Sequence, residues 1–124
     1  MIHEALVADE TLRAQGIRLQ VVDLPWLNRI DADWLAETVA PFATAFVLED
    51  HAPVGTLGDA ILRELASAHL LEGRSLEVFG VDGWPACGTP PEALGHHRLD
   101  GASLAARISS VVTGSGARTL GRAD

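Results

Sequence analysis

The residues best suited to chemistry stand together in one run, FVLEDHAPVGTLGDA, which covers residues 46–60. An apolar stretch ends in two acids and a histidine, a glycine-containing turn follows, and an amphipathic stretch then begins. This order predicts a strand, a loop and a helix of an α/β sheet. Ligands and partners of such sheets meet the carboxyl ends of the strands. The candidate residues at this junction are Glu49, Asp50, His51, Gly55 and Gly58.

Each group at the junction has a functional and a purely structural interpretation. Glu49, Asp50 and His51 could form a metal or acid–base cluster, but neighbours at a strand end point in different directions, so we favour a solvated loop. The turn from Gly55 to Gly58 could hold a phosphate on free N–H groups. The adjacent acids would repel an anion, so we favour a tight turn.

Other reactive side chains lie outside the junction. Cys87 could be a nucleophile with His96 or His97 as its base, but a lone cysteine is more often a small packed hydrophobe. The two histidines could be half of a metal site, yet no second ligand pair has suitable spacing, so we expect a surface turn. Trp26 and Trp34 fit either a docking patch or core packing, and we leave both open.

Composition excludes several classes of function. The chain has 124 residues, 48% of them hydrophobic, which predicts one folded domain. A net charge of −8 argues against binding to nucleic acid or to an anionic membrane. All nine basic residues are arginine, so no lysine can form a Schiff base. One cysteine, no signal-like start and no long apolar run predict a cytoplasmic protein without a membrane span.

Periodicity and capping residues predict helices that alternate with strands. We expect a first helix that ends near Gly16, with Ile2, Ala5, Leu6, Ala8 and Leu12 on its apolar stripe. We also expect a helix from Ala32 to Val39 capped by Asp31, and a last helix capped by Asp100 or Ser103. The remaining elements are strands at 17–22, 42–48 and 76–81, a helix from Leu57 to about Ala68, and a short helix at 91–94. The fold class is therefore α/β, with a mostly parallel sheet flanked by helices in three layers. We expect one domain over residues 1–112 and a flexible tail over 113–124.

These residues carry a resemblance to a known family. The segments AQGIRLQVVDLPWLNRIDADWLAE, FVLEDHAPVGTLGDAILREL, VFGVDGWPACGTPPEAL and HHRLDGASLAARI resemble the C-terminal domain of transketolase-like thiamine diphosphate enzymes. That family includes transketolase, deoxyxylulose phosphate synthase and the beta subunit of 2-oxo acid dehydrogenases. The matching positions, over about residues 1–112, are Val22-Asp23, Asp31, Glu49-Asp50-His51, Gly55, Gly58 and Leu99-Asp100.

The chain also departs from the family pattern. Such domains begin with a strand before the first helix, and the resemblance implies that this strand is missing here. Arg29 replaces a usual proline, and Gly55-Thr56 replaces a double glycine. Pro25 stands where the synthases carry an arginine that helps hold substrate phosphate, which favours the transketolase or dehydrogenase type.

The resemblance implies assembly rather than chemistry. In the family, thiamine diphosphate and magnesium lie between two other domains, so we expect no cofactor, metal or catalytic residue on this chain. The expected partners are companion chains with the diphosphate-binding and pyrimidine-binding domains. A partner strand or self-association would cover the slot of the missing strand. The candidate interface residues are Glu49, Asp50, His51, Gly55, Gly58, Trp26 and Trp34.

Three classes of function therefore remain open. The first is a split subunit of a transketolase-type ketol transferase. The second is a freestanding module that docks a carrier or regulator through the junction. The third is a small independent enzyme that uses Cys87 or His51, which we place last because neither has an oriented base at the level of motifs.

Overall fold

The computed structural model describes residues 1–119, with side chains described for residues 1–114. This part of the chain divides into two compact units, which are described separately. One unit covers residues 23–85, and the other combines residues 1–22 with the residues from 86 onward. The elements in chain order are α1 (Ile2–Arg13), α2 (Ala32–Val39), β1 (Thr44–Leu48), α3 (Leu57–Ser67), β2 (Ser75–Phe79), α4 (Pro90–His96) and α5 (Gly101–Thr119).

The unit of residues 23–85 is built on a β-α-β arrangement. Strands β1 and β2 are parallel and in register, from Thr44 opposite Ser75 to Leu48 opposite Phe79. Parallel strands need a crossover connection, and α3 provides it. Because both strands run the same way, their carboxyl ends lie at one edge of the sheet, which is where the junction follows β1.

Helices α2 and α3 form the apolar core of this unit. Leu35 and Val39 lie one turn apart on α2 and are buried together with Leu65 of α3. The residues packed around this cluster are Ile30, Ile61, Leu70, Leu71 and Leu76. Burial of side chains of this kind contributes roughly 1.5–3 kcal/mol each, so this cluster fixes α2 on α3.

The second unit is built on a close contact between α1 and α5. The buried apolar residues are Ala5, Ala8, Leu12, Leu99, Leu104, Ala105 and Ile108. Gly101 stands at the start of α5, where an added Cβ would lie only 2.5 Å from Cγ1 of Val7. The backbone N–H of Gly101 donates to a carboxylate oxygen of Glu4 at 2.7 Å. A residue without a side chain therefore lets α5 begin directly against α1.

Local sequence signals place most of these boundaries correctly. Helix α2 spans the predicted residues, and the carboxylate of Asp31 accepts the N–H of Trp34 at 2.9 Å. Gly16 has φ +78°, as expected of a residue that ends a helix. Of the two proposed caps for α5, Asp100 is the one used, since its side chain accepts the N–H of Ser103. The predicted α/β class with parallel strands is confirmed.

The strand predicted at residues 17–22 is wrong. In the structure this segment belongs to no element, although alternate side chains are more buried, those of Ile17, Leu19 and Val21. Val22 is 41% exposed, so the segment is not covered on both faces. Alternation reports which side chains face inward, whereas a strand also needs a hydrogen-bonded neighbour, and the N–H of Leu19 instead meets the carboxylate of Asp9.

Two further expectations need correction or remain open. Leu6 was predicted on the buried stripe of α1, but it is 52% exposed because the buried face is formed by Ala5, Ala8, Asp9 and Leu12. The predicted tail begins at residue 113, yet α5 continues to Thr119. The rest of that tail, residues 120–124, lies outside the described residues, and the single domain over residues 1–112 stays a prediction.

No helix in the described part of the chain is long and apolar enough to cross a bilayer.

We expect Gly101→Ala to lower the free energy of unfolding by about 1–3 kcal/mol, because the new methyl group would overlap Val7. Gly114→Ala is the matched control in the same helix, since a Cβ there meets nothing within 4 Å. The control should be neutral or stabilising by up to about 1 kcal/mol. Urea unfolding of the two variants measures the difference, and equal midpoints would contradict the close contact of α1 and α5.

Candidate functional site

Glu49 is the central residue of the junction and is buried, with a relative exposure of 3%. It directly follows β1, and its Oε1 accepts the N–H of Gly58 at 2.9 Å. Gly58 lies in the first turn of α3, where backbone N–H groups have no partner within the helix. The carboxylate therefore connects the end of β1 to the start of α3.

Gly58 also brings α3 unusually close to the sheet. A Cβ at this position would lie 2.7 Å and 2.9 Å from the two Cγ atoms of Val78 on β2, and 3.0 Å from Oε1 of Glu49. No ordinary side chain fits at these distances. The glycine is therefore required for packing, as well as for the hydrogen bond to Glu49.

His51 faces both acids of the junction. Its Nε2 lies 3.2 Å from Oε2 of Glu49, an oxygen that is buried and makes no hydrogen bond in the described structure. Its Nδ1 lies 3.0 Å from Oδ1 of Asp50. A neutral imidazole has one N–H and can donate to one of these carboxylates, whereas the imidazolium can donate to both. The solvated loop that we favoured is thus wrong for Glu49, while Asp50 and His51 are exposed.

The glycine turn is occupied by the protein itself. Gly55 has φ +72°, which favours glycine, and its N–H donates to the carboxylate of Asp59 in α3. Since the N–H of Gly58 is taken by Glu49, carboxylates of the chain already bind both glycine N–H groups. This arrangement supports the tight-turn interpretation over a phosphate cradle.

An open groove of about 580 Å³ runs beside the turn. Its walls combine apolar side chains with one acid and two nitrogen-bearing side chains, those of His51 and Arg63. The lining residues are Leu27, His51, Gly55, Thr56, Leu57, Asp59, Ala60 and Arg63. Sequence reasoning found His51 and Gly55 but missed Leu27, which lies in a separate loop, and Arg63, which is one turn beyond Asp59 on α3.

Trp26 and Trp34 are both on the surface of the unit that holds the junction. Trp26 is 70% exposed and Trp34 is 37% exposed. Trp26 directly precedes Leu27, which lines the groove. Of the two interpretations left open, exposure favours docking over core packing for Trp26.

The remaining candidate residues lie in the other unit and form no catalytic arrangement. Cys87 is exposed. Nε2 of His97 accepts the backbone N–H of Ala86 at 3.0 Å, and the ring of His97 stacks edge-on with that of His96. Among the described residues, no group of three or more His, Cys, Asp or Glu side chains is arranged to hold a metal ion.

Comparison with known proteins identifies the family. A model of the transketolase C-terminal domain matches residues 1–104. The chain therefore belongs to the transketolase C-terminal domain family, and the resemblance inferred from the sequence is confirmed.

Individual relatives agree with this assignment. A putative transketolase C-terminal section from Methanocaldococcus jannaschii is 32% identical over 108 residues, which are 86% of this chain and 33% of that protein. A 1-deoxy-D-xylulose-5-phosphate synthase from Magnetococcus marinus is 30% identical over 113 residues, 90% of this chain and 18% of the synthase. These identities are too similar to separate the transketolase type from the synthase type.

A solved structure shows the same fold. It is described as a split gene transketolase in an inactive beta4 tetramer, and it superposes with a TM-score of 0.78 at 27% identity. The match covers 90% of this chain but only 36% of that chain. The chain thus spans about a third or less of the length of these relatives.

We expect Glu49→Ala to destabilise the protein by about 1–3 kcal/mol, because it leaves the buried N–H of Gly58 without an acceptor. Glu49→Gln keeps an acceptor oxygen and the side-chain volume, so its loss should be smaller. Chemical unfolding of both variants at one pH provides the comparison. An unchanged midpoint for Glu49→Ala would show that the carboxylate does not hold α3.

Asp50 makes the stability of the junction depend on pH. The hydrogen bond with His51 lowers the pKa of Asp50 below its ordinary value. A carboxyl whose pKa is lower in the folded state stabilises the fold above its unfolded pKa, and this contribution disappears as pH falls through the folded pKa. The stability gap between wild type and Asp50→Asn should therefore narrow below about pH 4. In a His51→Ala background the gap at neutral pH should be smaller, because the largest cause of the lowered pKa of Asp50 is removed, and a gap of unchanged size would contradict the pairing.

Proposed function

We propose that this chain acts as the C-terminal domain or split subunit of a transketolase-type, thiamine diphosphate-dependent ketol transferase, and that it contributes subunit assembly rather than chemistry. The family match over residues 1–104 carries the proposal. The similarity to a protein described as a split gene transketolase supports the split arrangement, although the match covers only 36% of that chain.

The geometry of the junction supports a role in assembly. Its acids bind groups of the same unit: Glu49 holds Gly58, Asp59 holds Gly55, and Asp50 pairs with His51. Carboxylates committed to local structure are poorly placed to act as acids or bases on a substrate. The groups left uncommitted are the groove and the exposed apolar residues around it, which suit contact with another polypeptide.

The cofactor belongs to the companion chains in this proposal. Thiamine diphosphate with magnesium would supply the ketol-transfer chemistry, and the described residues offer no ligand cluster that fits the metal. The residues of this chain would instead shape and hold a docking surface. The partners are chains that carry the diphosphate-binding and pyrimidine-binding domains, with self-association of the whole as in the tetrameric relative.

Reconstitution tests the proposal. The chain is mixed with candidate companion chains, namely those of its own cell that carry the diphosphate-binding and pyrimidine-binding domains, and ketol transfer from a ketose to an aldose is measured with thiamine diphosphate and magnesium. We expect activity with all chains present and none when this chain is omitted. Full activity without it, or failure to assemble with any such companion, would refute the role.

A point variant makes this test specific to the junction. Val54 lies between His51 and Gly55 and is 81% exposed, so Val54→Glu should leave the fold intact. We expect it to weaken assembly by about tenfold or more, because a docked apolar contact becomes a buried charge. Leu6→Glu on α1, which is 52% exposed in the other unit, is the control and should assemble normally. Equal effects of the two changes would argue against docking at the junction.

A further inference from the structure

The negative charge of the chain is concentrated in one of its two units. Residues 23–85 contain eleven Asp and Glu residues and three Arg residues, which gives them a net charge of −8. The rest of the chain contains six acids and six arginines and is neutral. The whole net charge therefore belongs to the unit that carries the junction and the groove.

The arginines of this unit do not neutralise its acids. Arg74 donates to the backbone carbonyls of Phe42, Leu70 and Ala40. Among the described residues of 23–85, the acids that contact a nitrogen-bearing side chain at ion-pair distance are Glu49 and Asp50, both through His51, and these are ion pairs only when the imidazole is protonated. The other acids form no ion pair within the described residues, so the unit presents an uncompensated negative field.

Three exposed large apolar residues of the unit lie near one another in the sequence, within residues 23–37, here called the tryptophan segment. Trp26 is 70% exposed, Leu27 is 57% exposed and Trp34 is 37% exposed. Four exposed acids interleave with them, against the single Arg29, and these acids are Asp23, Asp31, Asp33 and Glu37. Large exposed side chains of this kind mark a site of contact with another molecule.

We propose that the tryptophan segment docks a basic polypeptide surface, one that carries arginine side chains among aliphatic residues. A guanidinium can stack on an indole face and pair with a neighbouring carboxylate at once. Trp34 and Glu37 lie three residues apart on α2 and therefore share a face of the helix, which offers both contacts. Leu27 and the groove beside it accept the aliphatic side chains. The inference rests on the proposed function in taking this surface to belong to a companion chain.

An isologous dimer of this chain does not fit the same surface. An isologous contact would place the tryptophan segment against itself, and its acids would meet like charges. Binding to nucleic acid or to an anionic membrane is opposed by the same field. The negative charge of this unit therefore favours a basic polypeptide as the partner of the tryptophan segment.

Binding of a defined peptide tests the inference. The probe is a fluorescein-labelled 12-residue peptide of alternating arginine and leucine, and fluorescence anisotropy gives its Kd for the full chain. The comparison peptides replace arginine by glutamate or leucine by glycine. We expect the arginine–leucine peptide to bind most tightly, and its Kd to rise with salt. Tighter binding of the glutamate peptide would overturn the inference.

Variants separate docking from general attraction to an acidic protein. We expect Trp26→Ala with Trp34→Ala to weaken binding about tenfold, and Asp33→Asn with Glu37→Gln to weaken it about fivefold with a smaller salt dependence. The control, Glu10→Gln with Glu72→Gln, changes net charge equally at two exposed positions outside the segment. It should stay within about twofold of wild type. Equal losses in the control and segment variants would refute a specific surface.

The same variants distinguish failure of this inference from failure of the proposed function. If companion chains assemble equally well with wild type and with the segment variants, the transketolase role stands and the basic docking surface is wrong. If no companion assembles but the arginine–leucine peptide binds with the expected dependence on the segment, the docking surface stands and the subunit role fails. Circular dichroism confirms that each variant is folded before binding is compared.

Discussion

Glu49 directly follows β1, and its carboxylate is buried. This carboxylate accepts the N–H of Gly58 in the first turn of α3. Burial of a charged group is costly unless hydrogen bonds satisfy it, so this contact dictates the geometry around it. Because α3 must lie close enough to be held, position 58 has no room for a Cβ against Val78. The loop between β1 and α3 is then short and turns on Gly55. The groove beside that loop is a consequence of these constraints.

The same contact explains why the junction is acidic without being reactive in any obvious way. The carboxylate of Asp59 accepts the N–H of Gly55. The two ring nitrogens of His51 face the second oxygen of Glu49 and the carboxylate of Asp50. Each of these groups has a role in holding the strand-to-helix connection. The proposed role in assembly would benefit from a rigid connection, since docking costs less when the surface is already formed.

An element or a buried residue could be predicted from the sequence where the contact that determines it joins residues close together in the chain. The cap at Asp31, the stop at Gly16 and the limits of α2 involve residues within four positions of one another, and all were predicted correctly. The strand at residues 17–22 was predicted wrongly because pairing depends on a neighbour that periodicity cannot reveal. Burial of Glu49 was missed for the same reason, since its partner is nine residues away and meets it only once α3 has folded back.

Occupation of the groove by a partner should be coupled to the contact between His51 and Glu49. His51 lines the groove, and its Nε2 lies 3.2 Å from the unsatisfied oxygen of Glu49. A companion chain that covers the groove would remove water from this pair, and a lower local dielectric strengthens a charged hydrogen bond. The contact between His51 and the second oxygen of Glu49 would then be firmer in the assembly than in the isolated chain. By linkage, whatever strengthens the contact between His51 and Glu49 also favours docking, so a surface contact and a buried one stabilise each other.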